Sequence, residues 1–159
     1  LIDLRVGGPS VKPPQPKGVS EISYGFGWGG QWVDAKGADR YRRGLYIHFQ
    51  RTTPYPLLQN FDAPKGTVTQ CRRGRSNTPL QALNLLNDPV FLEAAEALAR
   101  RVESADFHTS LQKAYLLTLS REPREDEAAR LEAYLKTPDA TWTGLASVLL
   151  NLDEFIVRE

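Results

Sequence analysis

Arginine clusters are the residues of this chain with the clearest capacity for chemistry. One cluster lies within residues 40–51 and the other within residues 72–75, just before a predicted helix start. A guanidinium binds carboxylate, sulfate or phosphate through paired hydrogen bonds, and the open N–H groups of a helix N-terminus bind the same anions. Pairing with acidic side chains of the same chain is the alternative. The predicted anion-binding residues are Arg42, Arg43, Arg72, Arg73 and Arg75.

Aromatic residues alternate with glycine from Tyr24 to Trp32. Trp28 and Trp32 could stack on sugar rings or on a partner, but we favour a loop held in place by buried aromatic side chains. Gly25, Gly27 and Gly30 also match the dinucleotide-binding fingerprint. No apolar strand precedes them and no helix is predicted to follow, so we reject that match.

Other reactive residues give weaker signals. His48 and His108 have no partner at metal-ligand spacing, so we predict no metal site. Cys71 stands beside two arginines that would lower a thiol pKa, which makes it a weak candidate nucleophile. This segment has no Cys-x-x-Cys-His sequence, so we expect no cofactor within it. Whether the chain is an enzyme stays open.

Composition indicates a globular protein. The chain has 159 residues, of which 41% are hydrophobic and 25% charged, enough for one ordinary core. No apolar run approaches the length of about 18 residues that predicts a membrane span, and the first residues do not resemble a signal peptide. Because the chain contains no Met, we expect it to be a fragment of a larger multidomain protein.

The net charge of +1 conceals an asymmetry. Residues 1–80 contain 12 Lys and Arg against 5 Asp and Glu, whereas residues 81–159 contain 8 against 14. The two halves could pair with each other, or the basic half could bind an external anion. The near-neutral total and the absence of a recognisable binding motif argue against nucleic acid.

The second half of the sequence has a helical pattern. Thr78, Pro79 and Gln81 form a capping box that begins a helix ending near Leu86. Further starts are predicted at Asn87 or Asp88, at Asp106, at Pro123 and near Thr141, each followed by apolar residues at helical spacing. Residues 78–159 are therefore predicted to form a small helical bundle.

Residues 1–77 are predicted to be an irregular segment of the same domain, rich in Gly, Pro, aromatic residues and Arg. Residues 41–51 fit a short strand or a short helix equally well, and residues 57–75 are interpreted as irregular chain. The predicted fold class is mainly α: a small helical bundle with a long irregular N-terminal segment. If residues 41–51 form the strand and not the helix, the fold also contains one short strand.

Several motifs in order resemble the C-terminal domain of multidomain planctomycete proteins, the DUF1553 family. They cover nearly all of the chain and include residues 7–11, 13–16, 37–46, 50–52, 61–64, 72–89 and 149–155. The resemblance implies an exported protein, periplasmic or at the cell surface, in which this domain accompanies a cytochrome-c-like domain. Family members often occur beside polysaccharide-degrading proteins. The resemblance supplies no catalytic residues.

Three functions are consistent with these observations. The leading hypothesis is a non-catalytic scaffold or interaction domain of an exported cytochrome-c-linked protein, whose partners are other domains of the same polypeptide. The second is binding or processing of anionic polysaccharide, sulfated or uronic. The third is a part of a haem-dependent redox enzyme, with haem c in the full-length protein.

Overall fold

The computed structural model describes residues 2–16, 18–19, 32–50, 53–66, 68–72 and 74–157. It divides into two compact units, Leu1–Val90 and Phe91–Glu159. The chain is mainly helical, which confirms the predicted fold class. The predicted domain boundary at residue 77 stays a prediction. The α-helices of the described residues are α1 (Pro56–Asn60), α2 (Pro79–Asn87), α3 (Pro89–Val102), α4 (Phe107–Leu119), α5 (Glu125–Leu135), α6 (Trp142–Leu150) and α7 (Asp153–Ile156).

In the first unit, the N-terminal chain runs beside residues 41–48. The backbone N–H of Val11 donates to the Tyr46 carbonyl at 2.8 Å, and that of His48 donates to the Val11 carbonyl at 2.8 Å. Parallel bridges join Asp3 to Arg42 and Val11 to Ile47. Residues 2–16 thus gain backbone hydrogen bonds without a continuous strand ladder.

Residues 41–48 are neither the strand nor the helix that periodicity allowed. They contain the end of one 3-10 helix, Gly37–Tyr41, and all of another, Gly44–Tyr46, with the two isolated bridges between and after them. Leu45, which either pattern would turn inward, is 84% exposed. Residues 41–48 form backbone hydrogen bonds with the N-terminal chain, far away in sequence, and an alternation of apolar residues does not encode such bonds.

Helix α1 corrects the interpretation of residues 57–75 as wholly irregular. It begins at Pro56, where the fixed φ of proline suits a first helical turn and no N–H is lost from the helix. The remainder of that stretch, within the described residues, contains no further helix. A five-residue helix is too short for apolar periodicity to reveal.

The predicted capping box of α2 is confirmed. The Thr78 hydroxyl accepts a hydrogen bond from the Gln81 N–H, and the Gln81 side chain accepts one from the Thr78 N–H. The Gln81 amide also donates to the carbonyls of Asn60 and Ser76, at 2.7 and 3.0 Å. With only 1% of its surface exposed, Gln81 therefore caps α2 and connects it to two distant segments.

The structure confirms the predicted starts of α4 and α6 and corrects the predicted start of α5. Asp106 caps α4 and Thr141 caps α6, as expected, through hydrogen bonds from Thr109 N and Gly144 N. Helix α5 starts at Glu125 and not at Pro123. The Glu127 carboxylate accepts from the Arg124 N–H at 2.8 Å, which fixes the start two residues later.

The core of the second unit lies where α4, α5, α6 and α7 contact one another. It is formed by side chains of α4 and α6 and by Val102 at the end of α3, with side chains of α5 packed against them. Burial of these aliphatic and aromatic side chains is the main stabilising term of the unit. Its fully buried members are Val102, Leu111, Ala114, Tyr115, Leu145 and Leu149.

An ion cluster connects three elements at one edge of this core. The Arg121 guanidinium donates to both oxygens of Glu127 and to both oxygens of Glu154, all at 2.8 Å. It also lies 5.2 Å from the centre of the Tyr115 ring. Paired guanidinium–carboxylate bonds of this kind are stronger than ordinary surface ion pairs. They attach α7 and the start of α5 to the end of α4.

The ion cluster predicts acid sensitivity. Hydrogen bonds from Arg121 lower the pKa of Glu127 from 4.5 to about 2. A carboxyl whose pKa is lower in the folded state stabilises that state above its unfolded pKa, and the contribution disappears as the pH falls through the folded pKa. We therefore expect the free energy of unfolding to fall between about pH 4.5 and about pH 2. Glu127→Gln should remove this part of the slope in urea unfolding measured across that range.

Glu132→Gln is the matched control. Its carboxylate pairs with Lys136 at 2.8 Å, but the Lys136 and Glu132 side chains are 72% and 42% exposed to water, and such pairs contribute only a few tenths of a kcal/mol. Because Lys136 lowers the pKa of Glu132 as well, the control removes a small part of the slope, and it should keep most of the wild-type value. If the free energy of unfolding depended on pH equally in wild type and in Glu127→Gln, the acid sensitivity would not come from Glu127.

Candidate binding cavity

Arg42 forms contacts with other residues of the first unit. It is only 8% exposed, and its guanidinium donates to the carbonyls of Arg5 and Gly7 at 3.1 and 2.6 Å. It also stacks on the Tyr46 ring, 4.0 Å from the ring centre. Its Nε atom is buried without a hydrogen-bond partner among the described residues. The geometry gives Arg42 the role of holding the N-terminal chain against residues 41–48.

The other predicted anion-binding arginines are more open. Arg43 is exposed and lies 5.7 Å from the same Tyr46 ring. Arg72 and Arg75 are exposed, and Arg73 lies outside the described residues. The structure does not bring all five arginines into one described site, and their anion-binding role stays a prediction.

Trp32 belongs to an internal aromatic stack. Its ring lies parallel to Tyr55, with 5.6 Å between ring centres and 11° between planes, and its indole N–H donates to the Pro13 carbonyl at 2.9 Å. The His48 ring lies at its side, 6.4 Å away. This arrangement matches the favoured expectation of an aromatic anchor for Trp32. Trp28 lies outside the described residues.

A cavity of about 590 Å³ lies beside this stack, within the first unit. Apolar walls come from side chains such as Phe49, Tyr55 and Leu58, and polar groups come from three loops and from α1. A mainly apolar cavity of this size with a few polar groups is typical of small-molecule sites. The polar side chains that reach it are His48, Gln59, Asp62, Lys65 and Gln70.

Asp62 is the most constrained residue of the cavity wall. Its φ of 56° lies in the left-handed region, which a residue other than glycine seldom adopts. One carboxylate oxygen accepts hydrogen bonds from both the N–H and the hydroxyl of Ser76, each at 2.7 Å. These bonds hold the turn after α1 against the chain that leads to α2. The wall is therefore fixed by polar contacts and not by regular structure.

Tyr55 closes the cavity on the side of the aromatic stack. It is 3% exposed, and its hydroxyl donates to the Pro14 carbonyl at 2.9 Å. Burial raises the pKa of this hydroxyl well above its usual value, and the carboxylates of Asp88 and Asp34 raise it further. Tyr55 thus stays neutral at ordinary pH and acts as a structural donor.

Sequence reasoning missed this cavity. Its residues lie within 48–74, most of which was interpreted as irregular, and they come from three separate loops and one short helix. The sequence did contain one usable signal, the Pro56 that begins α1. Within the described part of the chain, no three His, Cys, Asp or Glu side chains form a group that could hold a metal ion, and Cys71 is an exposed thiol.

The helices, the irregular first unit and this cavity define a class: a mainly α-helical protein with a cavity of small-molecule size. Residues 1–135 match the family model described as PSD1, protein of unknown function (DUF1553), so the chain belongs to that family. Searches of the curated proteins and of the solved structures found no match. None of the described helices has the length and apolar character needed to cross a membrane.

Arg42 and Arg43 are neighbours in sequence, but only Arg42 is buried, so substituting each in turn tests whether Arg42 holds the N-terminal chain. Arg42→Gln removes two charge-assisted hydrogen bonds from a buried guanidinium to the Arg5 and Gly7 carbonyls, so we expect it to lower the free energy of unfolding by about 2 kcal/mol. Arg43→Gln removes an exposed charge and should change it by less than about 0.5 kcal/mol. Urea unfolding of both variants measures the difference. Equal effects of the two substitutions would show that Arg42 does not hold the N-terminal chain.

Proposed function

We propose that this chain is a non-catalytic interaction domain that binds other domains of its own polypeptide. The observation that carries the proposal is a row of exposed leucines on α2. Leu80, Leu83 and Leu86 are 58%, 54% and 48% exposed. They are spaced three apart and so lie on one side of the helix.

The opposite side of α2 is buried within its own unit. Gln81 and Leu85 are 1% and 5% exposed, and they face away from the leucine row by helical geometry. Because one side of α2 is already buried, its leucine row on the other side exposes apolar surface to water, which docking of a partner would cover. A row of apolar anchors at helical spacing is also the usual pattern by which a helix contacts a partner groove.

The internal contacts of the first unit support the same function. Arg42 and Trp32, which were candidates for ligand contacts, instead connect segments of the unit. Side chains used in this way contribute stability and position the surface of the unit. The α2 row is an exposed apolar feature that suits a macromolecular partner.

Hydrogen exchange tests the proposal. In the longer polypeptide we expect slower exchange of α2 amides than in the isolated 159-residue chain, because docking would protect them. Leu83→Lys should remove that added protection in the longer polypeptide, since it places a charge in an apolar contact. In the isolated chain the same substitution is at an exposed site and should leave stability almost unchanged.

Leu45→Lys is the control, because Leu45 is 84% exposed in the same unit and lies outside α2. It should leave the protection of α2 intact. Identical exchange of α2 in the isolated chain and in the longer polypeptide would contradict the interaction function.

The surrounding protein is part of the proposal. We infer from the family resemblance that it is of planctomycete origin, exported, and carries haem c in another domain. A haem c absorption spectrum of the longer polypeptide tests that inference. The redox hypothesis adds the claim that this chain contacts the haem, so removal of the chain would then change the haem spectrum or its reduction potential.

Binding of anionic polysaccharide is the second candidate. It is favoured by the exposure of Arg72, which lies between the cavity-lining residues Gln70 and Gly74. On a glycan array, we expect binding to sulfated or uronic glycans that the Arg72/Arg73/Arg75→Ala variant loses at unchanged stability, because guanidinium groups supply the anion contacts. No binding by the wild type, together with a lower melting temperature of the variant, would assign these arginines to the fold or to an interface.

A further inference from the structure

We propose that two copies of this chain associate through residues 2–6, which pair as antiparallel strands with the same residues of the second copy. We call residues 2–6 the edge segment. The proposal goes beyond the interaction function, because the partner is a second copy of the chain and the contact surface is not the α2 leucine row. Free backbone groups, exposed apolar side chains and the order of the charges in the edge segment all favour this pairing.

The edge segment uses one of its two backbone edges within the first unit. The Asp3 N–H donates to the Tyr41 carbonyl at 3.0 Å, and the Arg5 carbonyl accepts from the Arg42 guanidinium at 3.1 Å. Alternate residues of an extended chain direct their backbone groups to opposite edges. The residues between form no backbone hydrogen bond within the described part of the chain, and these are Ile2, Leu4 and Val6.

A row of free N–H and C=O groups on an extended chain is a template to which another strand can add. Proteins often protect such edges with proline or lysine, and the edge segment contains neither. The free edge is therefore open to a strand that is not part of the first unit.

The apolar side chains of the edge segment are among the most exposed of the described residues. Ile2, Leu4 and Val6 are 69%, 68% and 84% exposed. Because they are spaced two apart in an extended chain, they lie on one face. Side chains directly opposite each other on paired strands contact one another, so a second edge segment would cover part of this apolar surface.

The order of charges selects one register for two identical segments. If Leu4 lies opposite Leu4 of the second copy, Asp3 lies opposite Arg5 and Ile2 lies opposite Val6. A shift of two residues in one direction places Asp3 opposite Asp3, and a shift in the other direction places Arg5 opposite Arg5. Opposite charges across strands stabilise a pair and like charges destabilise it, so the register centred on Leu4 is favoured.

The same register makes use of the free backbone edge. In antiparallel strands, hydrogen-bonded pairs alternate with pairs that have no such bonds and whose side chains lie closer together. The Leu4 pair and the Ile2–Val6 pairs would be hydrogen-bonded, because their backbone groups face the free edge. Asp3 and Arg5 would form the closer pairs between them. The whole arrangement is symmetric about Leu4, as the interface of a two-fold dimer requires.

Arg5 can contribute to this pairing without giving up its contacts within the chain. Its Nε donates to Asp3 at 2.7 Å, and its Nη2 donates to Asp39 at 2.9 Å. Its Nη1 forms no bond with the described residues, so it can donate to Asp3 of the second copy.

Sedimentation equilibrium of the 159-residue chain tests the proposal. The edge segment is short and its interface is small, so we expect a weak, reversible dimer with a Kd of about 100 μM. Hydrogen exchange followed by NMR should show the same contact. Raising the protein concentration should slow exchange of the Leu4 amide, which has no bond in the monomer, and should change that of Asp3 less, because Asp3 is already bonded to Tyr41.

Two substitutions should weaken the dimer about tenfold or more. Leu4→Pro removes the N–H at the centre of the paired strands, and this N–H is not used within the described chain, so the monomer should keep its stability in urea unfolding. Arg5→Asp places two carboxylates opposite each other. Lys36→Asp is the matched control, because it makes the same change of charge at an exposed site of the same unit outside the edge segment, and it should dimerise as the wild type does.

The proposal is overturned if the wild type stays monomeric at about 1 mM, roughly ten times the expected Kd. It is also overturned if Leu4→Pro and Arg5→Asp dimerise as well as Lys36→Asp. Leu83→Lys should leave the dimer intact, and its loss in that variant would assign the contact to α2 instead. The exchange of α2 in the longer polypeptide is a separate measurement, so failure here and failure of the interaction function can be told apart.

Discussion

The hydrogen bonds of the buried Gln81 side chain are the constraint on which the first unit most depends. Its amide oxygen accepts a hydrogen bond from the Thr78 N–H at the start of α2, and its amide nitrogen donates to the Asn60 and Ser76 carbonyls. These carbonyls belong to the end of α1 and to the chain before α2. Because a buried polar group without a partner costs about 1–3 kcal/mol, each bond specifies one arrangement of the loops. Ser76 in turn donates a hydrogen bond to Asp62, which lines the cavity, so the same arrangement also positions the cavity wall.

The two units obtain their stability in different ways. The second unit has an ordinary apolar core between helices, with the Arg121 cluster at its edge. In the first unit, polar and aromatic contacts carry more of the organisation: Arg42 on backbone carbonyls, Trp32 on Tyr55, and the Tyr55 hydroxyl on Pro14. Arg42 and Trp32 are thus used for internal contacts, although an arginine and a tryptophan are residue types that suggest ligand binding.

Helix starts in this chain could be predicted because they are local. Thr78, Asp106 and Thr141 each accept a hydrogen bond from an N–H three residues later, so the signal lies within one turn. The start of α5 was displaced by two residues because Glu127, and not the proline, satisfies the first turn. The cavity could not be predicted in this way. Phe49, Gln59 and Lys65 line one cavity although they come from different segments, and hydrogen bonds such as those of Ser76 to Asp62 and of Gln81 to Asn60 connect parts of the chain around it.

The sequence by itself determined the family, the mainly helical class and the caps of the principal helices, since capping patterns and apolar periodicity are encoded within a few residues. Only the tertiary structure decided which arginine is buried, which face of α2 stays exposed, and that loops of the first unit enclose a cavity. Those outcomes depend on which backbone carbonyls and which apolar faces find partners across long separations in the chain. No local pattern of residue types specifies such pairings.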